Sequence, residues 1–132
     1  MSRPNPTDRV YSKDHEWVKA EENGIAVIGI TDYAQEMLTD IVFVELPQVG
    51  RKISKGEVMA VVESVKSVSD VYAPVSGEVI EVNSELENTP DLINSDAFEE
   101  GWIAKVKLDD ATELQLLMTA DAYAALIAEE KH

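Results

Sequence analysis

The chain gives catalysis few residues to work with. It has no cysteine, hence no thiolate nucleophile, no disulfide and no zinc–thiolate site of its own. Its histidines are His15 and His132. They form no i, i+4 pair for a metal, and His132, the last residue, is expected to be disordered. Ser64, Ser67 and Ser69 lie near Lys66, but a serine nucleophile needs a positioned base and only His15 is available. Ser64 and Lys66 are also one position too close for a Ser-x-x-Lys dyad. Carboxylate pairs carry no information among 26 acidic residues, and the glycines form neither a GxGxxG fingerprint nor a P-loop. Acid–base catalysis by the polypeptide alone is therefore not expected. An exposed lysine is an amine that a transferase can acylate, and Lys66 is the candidate, although most exposed lysines are simply solvated.

The flanking residues say how it is placed. Val61 and Val62 before it, and Val68, Val71 and Tyr72 after it, are β-branched or aromatic residues that favour strand. Lys66 then sits at the tip of a hairpin, its four-carbon stem projecting into solvent. Gly56-Glu57-Val58-Met59-Ala60-Val61 also resembles Gly77-Glu78-Val79-Ile80-Glu81-Val82, 21 residues later, with Lys66 close to the midpoint. Two halves related by a pseudo-two-fold axis near the lysine would give this spacing. So would chance, since Gly-Glu-Val is a common turn-into-strand opening.

The remaining elements follow in order. Residues 1–9 are polar, carry two prolines, and read as a flexible arm. Val10-Tyr11-Ser12 and His15 to Lys19 read as strands, and Asn23-Gly24 signals a hairpin turn because both central positions need positive φ. Ile25 to Ile30, apolar on both faces, is the returning strand. Thr31 or Asp32 can cap a helix over about 32–38, Asp32 with Gln35 fitting a capping box. Ile41 to Leu46 is strand, stopped by Pro47, and Glu78 to Val82 is strand. Residues 83–100 form the longest irregular region, where Thr89-Pro90 marks the start of one helical turn. Gly101 to Leu108 alternates, with Trp102, Ala104, Val106 and Leu108 on one face. Asp110 with Glu113 is a second capping box, opening a short helix with Leu114, Leu117 and Met118 inward. Thr119 caps a last helix from Ala120 to about Glu130, striped by Tyr123, Leu126 and Ile127. The pattern predicts a mainly β fold, a small sandwich or flattened barrel, with a helical appendage from about residue 110. At 132 residues, 10–132 forms one domain.

Charge narrows the partners. With 11 basic residues against 26 acidic, the formal charge is −15, which repels nucleic acid and anionic membranes. It suits either docking on basic protein surfaces or plain solubility. The opening Met1-Ser2-Arg3-Pro4-Asn5-Pro6 lacks the apolar core of a signal peptide, and no apolar run is long enough to span a bilayer. A cytoplasmic protein is expected.

The segment Glu63-Ser64-Val65-Lys66-Ser67-Val68-Ser69-Asp70, followed by Val71-Tyr72-Ala73-Pro74-Val75-Ser76-Gly77-Glu78-Val79, resembles the lipoyl-attachment segment of the glycine cleavage system H-protein family. Ser12-Lys13-Asp14-His15-Glu16-Trp17-Val18 resembles that family's His-Glu-Trp opening. Gly29 to Glu36, Asp40 to Pro47, Glu81-Val82-Asn83, Leu92-Ile93-Asn94 and Gly101 to Val106 extend the likeness over about residues 10–130. The resemblance implies a barrel-sandwich hybrid of the lipoyl and biotinyl carrier type, monomeric in the manner of that family, and a shuttle, not an enzyme. It implies lipoic acid on Lys66, with Glu63, Ser64, Val65, Ser67 and Asp70 read by the attaching enzyme, a lipoate ligase or a lipoyl/octanoyl transferase. The implied partners are glycine decarboxylase, the aminomethyltransferase and dihydrolipoamide dehydrogenase. Between visits the loaded arm would fold against a cleft bearing Ser12, Glu16 and Asp70, with Tyr33 and Met37 as its apolar wall. A biotinyl carrier would instead be expected to place methionines beside the lysine, where this chain has Val65 and Ser67. A 2-oxoacid dehydrogenase lipoyl domain would normally continue into a linker. An H-like protein relaying lipoate to other enzymes remains an alternative.

Overall fold

The computed structural model describes residues 5–130. Nine strands form two antiparallel sheets. Six of them, β1 (Val10–Tyr11), β2 (Glu16–Ala20), β3 (Ile25–Ile30), β9 (Ala104–Leu108), β8 (Gly77–Val82) and β5 (Lys52–Ile53), lie side by side in that order. The other sheet has three, β4 (Ile41–Glu45), β6 (Val58–Ser64) and β7 (Val68–Tyr72), with β6 central. Four helices, α1 (Asp32–Leu38), α2 (Glu85–Asn88), α3 (Leu92–Ser95) and α4 (Ala120–Glu130), lie between and after the strands, with 3-10 turns over Glu22–Gly24 and Ala111–Leu116. The mainly β architecture with a C-terminal helix is as the sequence predicts.

The main core brings together residues of both sheets: Val18 and Ile28 of the larger sheet, Val44, Val62 and Val71 of the smaller, with Ile93 and Ile103 from the segment between β8 and β9. A second, aromatic cluster covers the outer face of β1–β3. There Tyr11 stacks on Tyr123 at 4.9 Å, and Trp17 and Phe98 complete the layer. Gly29 faces Trp17 across the β2–β3 ladder. A Cβ at Gly29 would stand 2.6 Å from the indole, so this strand position has no room for a larger residue.

Several local expectations need correcting. Thr31, not Asp32, caps α1, accepting the Ala34 N–H at 3.2 Å, while Gln35 bonds the Asp32 side chain instead of closing a capping box. Asp110 caps the 3-10 helix, but Glu113 reaches across the molecule to accept the Ser76 N–H and hydroxyl. The helical turn expected at Thr89-Pro90 begins at Leu92, and a second turn precedes it. Trp102 is out of phase with Ala104: Ile103 enters the main core, and Trp102 packs on the aromatic cluster with Lys105 over its ring. A register shift between Val79 and Glu81 lets Val82 pack on the same core as Val79. The arm is packed at its end: Arg9 is buried, its guanidinium over Trp17 and donating to the Phe98 carbonyl at 2.6 Å. Residues 1–4 of that arm, and His132, lie outside the described residues.

Both members of the Gly-Glu-Val repeat lead into the middle strand of a three-strand set, β4-β6-β7 and β9-β8-β5. Their glycines do different work. Gly56 has φ +89° in open space, whereas Gly77 is hemmed in by the Lys107 carbonyl, 2.2 Å from where a Cβ would be.

Candidate functional site

Lys66 lies on the turn between β6 and β7, and one side chain organises that turn. The Ser64 hydroxyl oxygen accepts the backbone N–H of Lys66 at 3.1 Å and of Ser67 at 3.0 Å, and its proton is directed to the Ser67 carbonyl. The Ser64 N–H also donates to that carbonyl at 2.8 Å. A serine competing for backbone groups in this way is what a tight turn requires. Ser64 is 9% exposed, while Val65, Lys66, Ser67 and Val68 are all exposed. The lysine is thus raised on a fixed backbone, and among the described residues no carboxylate lies within 4.0 Å of its Nζ.

The turn is anchored from outside as well. Val65 N–H donates to the Asp40 carbonyl at 3.0 Å. Asp40 is held in turn by Asn94, whose side chain accepts from Ile41 N–H and donates to the Thr39 carbonyl and to Gln35. Thr39 has φ +66°, a costly conformation for a β-branched residue, and the Asn94 contacts hold it there. Asn94 is a positioning residue that pattern reading missed. Its one visible signal was its place in the Leu92-Ile93-Asn94 motif.

Two of the hollows beside this sheet are separated by Glu16. The larger, about 370 Å³, is bounded by Tyr11, Ser12, Tyr72, Pro74 and Met118, with Lys13 and Lys55 on its rim. The smaller, about 90 Å³, is bounded by His15, Ala34, Met37, Leu38, Val62 and Asp70. Glu16 lines both. Of the expected cleft residues, Ser12 and Glu16 meet in the larger hollow, and Glu16, Met37 and Asp70 meet in the smaller. Tyr33 lines neither; its ring packs on His15 at 5.0 Å. His15 is not placed as a base for the serines: its ring nitrogens meet the Tyr123 hydroxyl at 2.8 Å and Glu130 at 3.1 Å.

Glu16 is 2% exposed. One carboxylate oxygen takes the Ser12 hydroxyl at 2.5 Å, and the other takes the Tyr72 N–H at 3.1 Å, tying β2 of one sheet to β7 of the other. Burial pushes its carboxyl up to about 7, against the opposing pull of those two hydrogen bonds and with repulsion from Asp14 added. On the far side of the same sheet, the buried Tyr123 hydroxyl is shared between His15 and Thr31, so the last helix is linked to the cap of α1.

A family model described as "Glycine cleavage H-protein" matches residues 9–130. A glycine cleavage system H protein of Aeromonas salmonicida is 51% identical over 125 residues, covering 95% of this chain and 97% of that protein. One from Shewanella sp. strain W3-18-1 is 53% identical over the same coverage. The crystal structure of a glycine cleavage system H protein from Mycobacterium marinum superposes with a TM-score of 0.86 at 40% identity, covering 94% of this chain and 99% of that one.

Proposed function

Because the chain belongs to the glycine cleavage H-protein family, we propose that it is a lipoyl carrier of glycine cleavage, with lipoic acid held in amide linkage on Lys66. The observation that carries this reading is the Ser64-clamped turn, which presents one exposed amine on an ordered backbone. Lys66 fits the group: its amine is exposed and not engaged in an ion pair among the described residues, and its acylation takes the formal charge from −15 to −16. The bound dithiolane supplies the sulfur chemistry that a cysteine-free chain lacks.

The chain presents this arm in turn to glycine decarboxylase, to the aminomethyltransferase and to dihydrolipoamide dehydrogenase, and so carries the aminomethyl group of glycine between the first two. It binds, orients and shelters, and does no catalysis itself. Sheltering is assigned to the hollow where Met37 and Leu38 give an apolar wall, with Asp70, exposed on the edge strand β7, at its margin. Glu16 contributes there chiefly as a fixed wall, since both of its oxygens are already engaged, one by the Ser12 hydroxyl and the other by the Tyr72 N–H of the other sheet. Excluding water at this place would slow hydrolytic loss of the cargo. Among the described residues no helix is long and apolar enough to cross a membrane; a cytoplasmic, monomeric carrier is part of the proposal.

Glycine decarboxylation reconstituted from the three partner enzymes tests it. Added lipoylated chain should give glycine-dependent NADH formation, and Lys66→Arg chain put through the same lipoylation should give none. Equal activity with the arginine variant would overturn the assignment.

A further inference from the structure

The outward face of the three-stranded sheet carries a second feature. Cross-strand partners share a face, so Phe43, Glu63 and Val68 form one outward row beside the lysine turn, and Glu45, Val61 and Asp70 the next. The register shift between Ile41 and Phe43 turns Val42 outward too. Val42 is 53% exposed, Phe43 47%, Val65 67% and Val68 64%. Exposed apolar residues crowded on one face mark an interaction surface more often than isolated ones do. Acids frame this group: Asp40, Glu45, Glu63 and Asp70. Apart from Lys66, the segment 40–45 and the hairpin 58–72 contain no cation.

We propose that this face is the docking surface for the enzyme that acylates Lys66, and that the matching surface on that enzyme is apolar and rimmed by lysine or arginine. The inference rests on Lys66 being the acylated amine, and reach selects the occupant. An acylating enzyme must bring its activated acyl carbon to Nζ, four methylenes from the turn, so its body must close over the residues around that turn. The amine attacks the acyl carbon, the amide bond forms as the bond to the activating group breaks, and a proton leaves the nitrogen. Once the amide exists, the added chain length lets later partners work on its far end from a greater distance. Phe43 and Val68 therefore matter for acquiring the group and much less for using it.

The test is lipoylation of purified apo-chain by a lipoate ligase with ATP and lipoate, followed by intact mass. Phe43→Ser and Val68→Thr should each lower kcat/KM for the chain by about ten-fold or more, the loss expected on removing an anchor residue. Val49→Ser, an exposed apolar position on the loop bonded to Val79, should leave it within two-fold. The wild-type rate should also fall as salt rises, because the framing charges steer encounter. Variants driven to full lipoylation with excess ligase should then support glycine decarboxylation within about two-fold of wild type. Thermal unfolding of each variant separates docking loss from misfolding, and Phe43→Leu, which keeps an apolar side chain, should recover most of the rate. Unchanged kcat/KM in Phe43→Ser and Val68→Thr, or an equal loss in decarboxylation by the fully lipoylated variants, would overturn the docking assignment. Absence of any lipoylation in wild type would instead overturn the carrier reading beneath it.

Discussion

Replacing Ser64 by alanine removes one oxygen and leaves two backbone N–H groups, those of Lys66 and Ser67, without their acceptor. Water reaches the turn, so the expected loss is modest, about 1 kcal/mol in chemical denaturation. Faster amide exchange at residues 66 and 67 should accompany it; unchanged protection would mean that the turn is ordered by something else. Glu16 makes a prediction of opposite character. Its carboxyl titrates at about 7 in the folded protein against an ordinary value of 4.5, so the folded state binds the proton more tightly than the unfolded one. Stability from this group is complete below about pH 4.5 and is lost as pH rises towards 7. Glu16→Gln removes the titration, so wild type should weaken relative to the variant across that window, by an amount on the order of 3 kcal/mol, and level off above it. A pH-independent difference between the two proteins would contradict this. Lys66 was legible in the sequence because β-branched runs bracket a single cation. The burial of Glu16 was not, because its partner Tyr72 lies 56 positions away and only the pairing of two sheets brings them together.

At the scale of elements, α1 and α4 begin and end where the sequence places them, since each has a capping threonine and an apolar stripe. The single-turn helices α2 and α3 had no such pattern. Leu86 and Ile93, both fully buried, hold them by packing rather than by helix propensity. Asn94 on α3 extends that packing to the lysine turn. Asn94→Ala should cost about 2 kcal/mol, because Ile41 N–H and the Thr39 carbonyl lose their partner while Thr39 stays strained. Protection of the Val65 amide should fall in the same variant, as its acceptor Asp40 loosens; full protection would show that the two segments are uncoupled. The Asn23-Gly24 turn follows its local signal, with φ of 63° and 72°. Gly29 is the case where packing sets the rule. Gly29→Ala should destabilise by about 1–3 kcal/mol in thermal unfolding, since the indole of Trp17 is fixed by hydrogen bonds to the Ile30 and Ala97 carbonyls.

For the whole molecule, the division of nine strands into a six-stranded and a three-stranded sheet depends on pairings far apart in the chain, such as β3 with β9. Alternation and turn signals cannot supply those partners, and the family likeness implied only the barrel-sandwich class of fold, not the pairings. The resulting shape explains how one chain can both display and shelter. β6 and β7 carry Lys66 outward, while Asp70 and Val71 of the same hairpin line the smaller hollow. The central claim, that Lys66 is the lipoyl attachment point, is tested most directly by intact mass and peptide mapping of chain made in lipoate-supplied cells. The account predicts one lipoyl increment, confined to the peptide containing Lys66 and absent from Lys66→Arg. An increment on another lysine, or one that survives the substitution, would contradict it.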